Sequence, residues 1–231
     1  MQHPLVSHWS RIVQERSYRR ESGSVMVTGK NLIQEMARRG RLKRLLTLSS
    51  CVDLPADEAV EVTDAILRKV TGLPSCDGFA AEVSMPPPSD LRGIRYLLVL
   101  DLVSDPGNVG TLVRTAFALG WEGVVVTPGT ADLFNDKALR AAKGATFWLP
   151  YQEVTREELL TWPHQLFVAD MEGEETCEVE PPVALILSNE SRGAREWAQA
   201  KSVRIPMRQE CESLNVGAAG AILMHQLRGT L

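Results

Sequence analysis

The chain has 231 residues, of which 44% are hydrophobic and 23% are charged. This length and composition can bury a substantial core in one large or two small domains, and neither terminus has an apolar run that predicts a membrane span or secretory signal. The net charge of −4 hides an asymmetry, because residues 1–50 hold ten Lys or Arg against three Glu.

The basic N-terminal portion predicts a phosphate-contacting surface, whereas the remainder of the chain carries an excess of acid. The alternative is that these charges lie on solvated helix faces. The four cysteines are far apart in the sequence and form no C-x-x-C pair: Cys51, Cys76, Cys177 and Cys211. Their spacing predicts a reduced protein inside the cell with no metal site.

Short helices and strands alternate in the first 84 residues. The apolar spacing predicts helices over 5–16, 30–39 and 56–70, strands over 25–28 and 45–48, a turn over 16–24, and a closing turn and strand over 74–81. Three consecutive prolines at 86–88 then predict a stiff linker over 85–91, with a second domain over 92–231.

The second domain alternates more regularly. Predicted strands cover 96–102, 123–127, 147–150, 166–169, 183–188 and 203–206, and predicted helices cover 109–119, 135–142, 155–161, 191–200 and 215–228. This order predicts an α/β fold, with a mostly parallel sheet and helices on both faces. Polar, Gly- or Pro-bearing loops follow the strands 183–188 and 203–206, which predicts a functional site at that edge of the sheet.

The last predicted helix begins with small residues after Asn215, its predicted N-cap. An interior glycine costs a helix about 1 kcal/mol relative to alanine. Gly217 and Gly220 therefore predict that a ligand, a partner helix or another strand packs closely against this helix.

The helix predicted over 109–119 follows a strand end broken by Pro106 and Gly107. One face of this helix is predicted to be buried, and its apolar residues are Leu112, Val113, Ala116, Phe117 and Leu119. Arg114 lies well away from that face at about 3.6 residues per turn, so it is predicted to point toward the loop or the solvent. Taken alone, the pattern is that of a surface arginine.

Three segments, in order, resemble the motifs of the SpoU (TrmH-type) RNA ribose 2′-O-methyltransferases. They are Asp101–Ala116 with Asn108 and Arg114, the run Ser188-Asn189-Glu190, and Ile205-Pro206-Met207 followed by Glu212-Ser213-Leu214-Asn215-Val216. The resemblance implies S-adenosylmethionine as cofactor, a C-terminal trefoil knot that forms the cofactor site, and a homodimer. Ser188 and Gly217 depart from the family pattern, and the Ser188 hydroxyl is a group that needs a hydrogen-bond partner.

The resemblance also implies roles for single residues. The catalytic candidates are Arg114, Asn108, Glu190, Ser213 and Asn215. In SpoU enzymes the arginine is the proposed proton acceptor; because the pKa of arginine exceeds about 12, the alternative is that Arg114 holds a phosphate and stabilises the developing alkoxide. Glu190, Ser213 and Asn215 have structural alternatives as a helix N-terminal acid and as caps. The cofactor-binding candidates are Leu187, Ser188, Asn189, Gly193, Ile205, Met207, Leu214, Asn215 and Gly217.

Residues 1–84 resemble, more loosely, the small ribosomal-protein-like domain that holds RNA in many SpoU enzymes. The RNA-binding candidates are Arg19, Arg20 and Lys30 in this domain, and Lys137, Arg140 and Lys143 at helical spacing in the second. The sequence thus predicts a cytoplasmic, two-domain RNA 2′-O-methyltransferase that acts on ribosomal RNA, or alternatively on transfer RNA. A catalytically silent ribosome-assembly factor is the rival interpretation. A nicotinamide-dependent enzyme is not supported, because no G-x-G-x-x-G motif follows a predicted strand in this sequence.

Overall fold

A computed structural model of the chain describes residues 3–48, 54–74, 77–175, 179–188, 196–208, 210 and 212–228. The chain divides into two compact units. The first contains Met1–Pro87 and Phe134–Arg140, and the second contains Pro88–Leu133 and Ala141–Leu231. No helix among the described residues is long and apolar enough to cross a membrane.

The first unit contains a four-stranded sheet in the order β1-β4-β2-β3. Its elements are α1 (Pro4–Gln14), α2 (Arg16–Ser22), β1 (Ser24–Thr28), α3 (Lys30–Arg38), β2 (Leu42–Thr47), β3 (Glu58–Glu61), α4 (Asp64–Thr71) and β4 (Phe79–Ser84). Strand β4 is antiparallel to both β1 and β2, whereas β2 and β3 are parallel.

An apolar cluster beneath this sheet forms the core of the first unit. Trp9 and Ile12 of α1 are almost fully buried, and they pack with Leu46, Leu67 and Val70 from β2 and α4. Each large apolar side chain buried in this way contributes roughly 1.5–3 kcal/mol to folding.

Two predictions in the first unit were wrong. Residues 16–22 form helix α2 instead of a turn, because the Arg19 guanidinium donates hydrogen bonds to the carbonyls of Ile12 (2.7 Å) and Val13 (2.8 Å) and ties α2 to α1. The predicted helix over 56–70 is a strand, β3, followed by α4. β3 pairs with β2, and the Thr63 hydroxyl starts α4 by accepting a hydrogen bond from the Ile66 amide at 3.3 Å.

The second unit contains a six-stranded sheet in the order β10-β8-β9-β5-β6-β7, and every neighbouring pair is parallel. The elements after residue 88 are β5 (Tyr96–Asp101), α5 (Pro106–Ala118), β6 (Gly123–Val126), α6 (Asp136–Ala142), a 3-10 turn (Ala145–Phe147), β7 (Tyr151–Glu153), α7 (Arg156–Leu159), β8 (Gln165–Glu175), β9 (Val183–Ser188), β10 (Lys201–Arg204) and α8 (Val216–Arg228). The predicted α/β fold is therefore confirmed, and the strands share one carboxyl edge.

One further prediction failed in this unit, and a second failed in the part that the structure describes. The apolar run 147–150 was predicted as a strand, but Gly144 (φ 97°) opens a 3-10 turn and the strand follows at Tyr151–Glu153. In the predicted helix 191–200, residues 191–195 lie outside the described part of the chain, and 196–200 form a turn closed by a hydrogen bond from the Ala200 amide to the Trp197 carbonyl.

The close packing predicted for the last helix is present at Gly220. A Cβ atom there would lie 2.3 Å from Leu112 Cδ2 and 2.5 Å from Leu187 Cδ1. The neighbours are therefore helix α5 and strand β9, and only a glycine lets α8 approach both of them at this point.

Candidate active site

Two asparagines predicted from separate motifs meet at the carboxyl edge of the second sheet. Helix α5 starts after β5, and its N-cap Asp105 accepts a hydrogen bond from the Asn108 amide at 2.9 Å. The Asn215 Nδ2 group donates to Asn108 Oδ1 at 3.2 Å, although the two residues are 107 positions apart. The starts of α5 and α8 are therefore joined through these side chains.

Asn215 also caps its own helix, as predicted. Its Oδ1 accepts a hydrogen bond from the Gly217 amide at 2.9 Å, and its carbonyl accepts one from Ala219. A Cβ atom at Gly217 would lie 3.0 Å from Asn215 Oδ1 and 3.5 Å from Thr111 Cγ2. A larger side chain at this position would therefore press on the paired asparagines.

Arg114 is exposed on α5, while its neighbours Leu112 and Val113 are buried, as predicted. Among the described residues it has no hydrogen-bond or ion-pair partner, so its guanidinium is available to a ligand. The prediction that Phe117 is buried was wrong, because this side chain is 47% exposed. Phe117 lies three residues after Arg114 and therefore on a neighbouring part of the same exposed side.

The predicted cofactor-binding residues lie at this edge in two kinds of environment. Leu187 is buried against Gly220, so only its backbone can reach a ligand. Ile205, Met207 and Leu214 are half-buried, which leaves part of each apolar side chain uncovered. Ser213 is exposed.

Asn189, Glu190 and Gly193 lie outside the described residues, as do the four cysteines. Their predicted roles therefore stay predictions.

Sequence reasoning missed the most heavily hydrogen-bonded side chain of this edge, Asp101. It is the last residue of β5, it is fully buried, and it pairs in register with Ser188 at the end of β9. Its carboxylate accepts hydrogen bonds from Thr127 Oγ1 (2.7 Å), Arg156 Nε (3.1 Å) and Nη2 (2.9 Å), Ser188 Oγ (3.0 Å) and Trp197 Nε1 (3.0 Å). The signal in the sequence was an acid that ends an otherwise apolar strand.

These partners keep Asp101 ionised. Burial by itself raises the pKa of the carboxyl, but the hydrogen bonds from Arg156, Thr127 and Trp197, together with the Arg156 charge, outweigh it and lower the pKa below its usual value. The Ser188 hydroxyl, identified from the sequence as a group that needs a hydrogen-bond partner, therefore has a buried acceptor in Asp101.

The predicted RNA-binding residues differ in how they are placed. Arg19 is buried and its guanidinium binds backbone carbonyls, so its position argues against contact with RNA and corrects that expectation. Arg20 and Lys30 are exposed. Elsewhere in the first 50 residues, Arg11 pairs with Glu15 and Arg44 pairs with Glu58 and Glu82, so part of the basic excess is matched within the fold.

The three candidates around α6 do not form the single helical face that was predicted. Lys137 is exposed on the helix, and Arg140 pairs with Asp136 at 2.6 Å. Lys143 follows the end of the helix with a left-handed backbone (φ 50°), so it lies off the helix and is also exposed.

Comparison with known proteins gives a consistent result. The model of the SpoU rRNA methylase family matches residues 95–225. The 23S rRNA (guanosine(2553)-2′-O)-methyltransferase RlmP of Bacillus subtilis is 29% identical over an alignment of 242 positions, which covers 97% of this chain and 96% of that protein.

Two solved structures share the whole fold. A putative RNA methyltransferase of the TrmH family from Porphyromonas gingivalis superposes with a TM-score of 0.82 at 27% identity, over 99% of this chain and 98% of that one. The SpoU methyltransferase AviRb from Streptomyces viridochromogenes, solved with the cofactor AdoMet, has a TM-score of 0.81 over 97% of both chains. At 23% identity this second likeness is one of fold.

Proposed function

Because the chain belongs to the SpoU rRNA methylase family, we propose that it transfers a methyl group from S-adenosylmethionine to a ribose 2′-hydroxyl of ribosomal RNA. The observation that carries this proposal is the hydrogen bond between Asn108 and Asn215. Asn108 lies on α5, the helix that also presents Arg114. Asn108 and Arg114 are six positions apart on α5, a rise of about 9 Å, so their side chains can contact different groups of one RNA strand.

The residues present fit S-adenosylmethionine. The half-buried side chains of Ile205, Met207 and Leu214 offer apolar surface for an adenine ring, and the backbone at Leu187 and Ser188 offers polar groups at a strand end. Gly217 keeps side-chain atoms away from the paired asparagines. When bound, the cofactor supplies a methyl group carried on a positively charged sulfur. We expect the family's trefoil knot to shape this site.

The side chains of the chain itself then orient the ribose and manage its proton. The hydrogen bond between Asn108 and Asn215 holds both amides in one arrangement, and this prepares them to position a hydroxyl. The Arg114 guanidinium binds an RNA phosphate and stabilises the alkoxide that develops at the 2′-oxygen. Whether Arg114 also accepts the proton depends on that phosphate, since a free arginine is a weak base.

Ribosomal RNA is the favoured substrate because the relative that aligns over 97% of this chain is named for 23S rRNA. The enzyme would then act in the cytoplasm, where ribosomal RNA is made in bacteria. A silent assembly factor would have little need for an exposed Arg114 beside the paired asparagines.

The direct test is transfer of labelled methyl groups from S-adenosylmethionine to purified 23S, 16S and transfer RNA from a strain that lacks the protein. Mapping of 2′-O-methyl positions should then give a single site in one ribosomal RNA. Labelling of transfer RNA alone would replace the substrate, and labelling of none would favour the silent factor.

We also propose a homodimer, supported by two exposed apolar side chains on helices that pack together. Phe117 on α5 is 47% exposed and Ile222 on α8 is 39% exposed. Phe117 lies three residues after Arg114 on α5, so a second copy covering it would lie next to the reactive site.

Sedimentation at micromolar concentration should give about twice the 25.5 kDa chain mass, and Phe117→Glu should give a monomer with little activity. Leu160→Glu is the matched control, because Leu160 is 40% exposed but lies at the end of α7. An active Phe117→Glu monomer would contradict the proposal.

A further inference from the structure

The Asp101 carboxylate accepts five hydrogen bonds from four side chains. Two of them reach Oδ1, from Thr127 and from Arg156 Nε, and three reach Oδ2, from Arg156 Nη2, Ser188 and Trp197. An ionised carboxylate has about four lone-pair sites. Asp101 therefore has no capacity left for a ligand, and any effect on catalysis must pass through its partners.

Those partners lie at the ends of three neighbouring strands. Asp101 ends β5, Ser188 ends β9, and Thr127 directly follows β6. Strand β5 leads to the loop before Asn108 and Arg114, and β9 leads to the segment with the second motif. One buried charge thus ties the exits of three strands at the edge where the predicted site residues meet.

The same carboxylate also holds the chain where it returns from the second motif. Trp197 donates to Asp101, and Arg156 binds Asp101 on one side and Glu196 on the other. The Arg156 guanidinium also lies 5.7 Å from the centre of the Trp197 ring. Ser188, Glu196 and Trp197 are the described residues that border this part of the chain, and all three connect to Asp101 directly or through Arg156.

Thr127 extends the connection to the first motif. Its hydroxyl donates to Asp101 and accepts a hydrogen bond from the Leu102 amide at 3.4 Å. Leu102 has a left-handed backbone (φ 55°), a conformation that is strained for a residue with a side chain. The strained turn that starts the first motif is therefore held in place through Thr127 and Asp101.

We propose that Asp101 is a positioning residue for methyl transfer, which sets the strand-end loops through Thr127 and Ser188 so that the cofactor and the 2′-hydroxyl meet. The inference rests on the proposed function. The rival interpretation is that the network only stabilises the fold. The two differ in what changes when one hydrogen bond is removed from a protein that still folds: a positioning network changes affinity and rate, whereas a stabilising network changes only the melting temperature.

The test uses variants that remove or keep one hydroxyl in the full chain. Ser188→Ala and Thr127→Val each remove a hydrogen bond to Asp101, whereas Thr127→Ser keeps the hydroxyl at position 127. Ser202→Ala is the matched control, because Ser202 Oγ donates to Asp170 at 3.2 Å in the same sheet but away from these loops. Asp101→Asn is less informative, since it also removes the charge partner of Arg156.

Two quantities decide the outcome. Calorimetry gives the Kd of S-adenosylhomocysteine, and single-turnover methylation at saturating cofactor and RNA gives the rate. We expect Ser188→Ala and Thr127→Val each to raise the Kd or lower the rate about two- to tenfold, with near wild-type values for Thr127→Ser and for Ser202→Ala. Folded variants with wild-type Kd and rate but a lower melting temperature would overturn the inference.

The wild-type protein separates this outcome from failure of the proposed function. If the wild type binds the cofactor and methylates RNA while the variants match it, only the positioning role of Asp101 falls. If the wild type neither binds S-adenosylhomocysteine nor methylates ribosomal RNA, the proposed function falls and the inference falls with it.

Discussion

Removing the exposed guanidinium of Arg114 should change the stability of the fold little, because the buried side chains of Leu112 and Val113 hold α5 in place. We expect Arg114→Ala to change the free energy of unfolding by less than about 0.5 kcal/mol. Single-turnover methylation at saturating RNA should fall about 10²–10³-fold, as expected when a donor or base for the transition state is removed. Arg114→Lys should also be slow, because it keeps the charge and loses the planar fork.

Arg92→Ala is the control for this measurement, since Arg92 is exposed in the same unit but pairs with Asp90. It should methylate at the wild-type rate. A wild-type rate for Arg114→Ala would show that Arg114 is a bystander in the reaction.

The buried carboxylate of Glu82 gives the first unit a dependence on pH. Burial acts to raise its pKa, but hydrogen bonds from Arg44, Ser24 and His8 outweigh this and lower it. A group whose pKa is lower in the folded state adds stability above its unfolded pKa, and that stability is lost as the pH falls through the folded pKa. The free energy of unfolding should therefore decrease as the pH is lowered below about 4.3.

Urea denaturation at several pH values checks this prediction. Glu82→Gln should be less stable than wild type at pH 7, because it removes the buried charged acceptor that Arg44 and the Trp9 indole share, and the two curves should converge at low pH. Glu58→Gln, which removes an exposed partner of the same arginine, should change the pH dependence much less. Parallel curves for Glu82→Gln and wild type would contradict the assignment.

Residues of the site could be predicted from the sequence when they belong to a recognisable motif. They were missed when their role depends on partners that only the fold brings together. Asn108 and Asn215 stand in segments with a distinctive sequence, and the structure pairs them. Asp101 ends a buried strand, and its importance depends on Arg156 and Trp197, which only the fold brings to it. The basic run suggested that Arg19 faces RNA. Its burial and its hydrogen bonds to the backbone carbonyls of Ile12 and Val13 could not be predicted from the distribution of charge in the sequence.

Helix α8 approaches its neighbours more closely at Gly220 than a side chain allows. In Gly220→Ala the new methyl would meet Leu112 and Leu187, both almost fully buried. Overpacking costs about 1–3 kcal/mol, and contacts as short as 2.3 and 2.5 Å place this case in the upper part of that range, about 2–3 kcal/mol. The better helix propensity of alanine returns about 1 kcal/mol. We expect a net loss of about 1–2 kcal/mol and a melting temperature lower by roughly 2–8 °C.

Gly93→Ala is the control for calorimetric melting, because a Cβ atom at Gly93 would have no neighbour within 4 Å. It should leave the melting temperature unchanged or slightly raised. Unchanged stability in Gly220→Ala would mean that α5 and β9 yield without cost.

At the scale of whole elements, periodicity predicted the parallel sheet well because its strands are buried on both faces and read as continuous apolar runs. Periodicity failed where a strand and a helix follow each other within one short apolar segment. Val60, Ile66 and Leu67 fit a helical spacing, yet β3 and α4 divide that segment at Thr63. It failed again over 147–150, where an apolar run forms a 3-10 turn because Gly144 sets the backbone.

The whole molecule separates its charge along the chain, with the basic excess in the first 50 residues. Deleting residues 1–84 would be an unclean test of RNA binding, because Phe134–Arg140 belongs to the first unit and would lose its surroundings. Leu139 in that segment is 4% exposed, so its burial depends on neighbours. Charge substitutions on the surface avoid this problem.

The double variant Arg20→Gln/Lys30→Gln removes two exposed positive charges that we predict to bind phosphate. Removing one ion pair with a phosphate should reduce the slope of log affinity against log salt by roughly 0.7–0.9, so the slope for ribosomal RNA should become shallower by up to about twice that amount. The Kd of S-adenosylhomocysteine should stay at its wild-type value, since these residues lie in the first unit. The matched control, Arg68→Gln/Lys69→Gln, removes the same charge from the exposed side of α4 and should leave the slope nearly unchanged. Equal slopes for both variants would mean that net charge, and not a phosphate-binding surface at Arg20 and Lys30, sets the affinity for RNA.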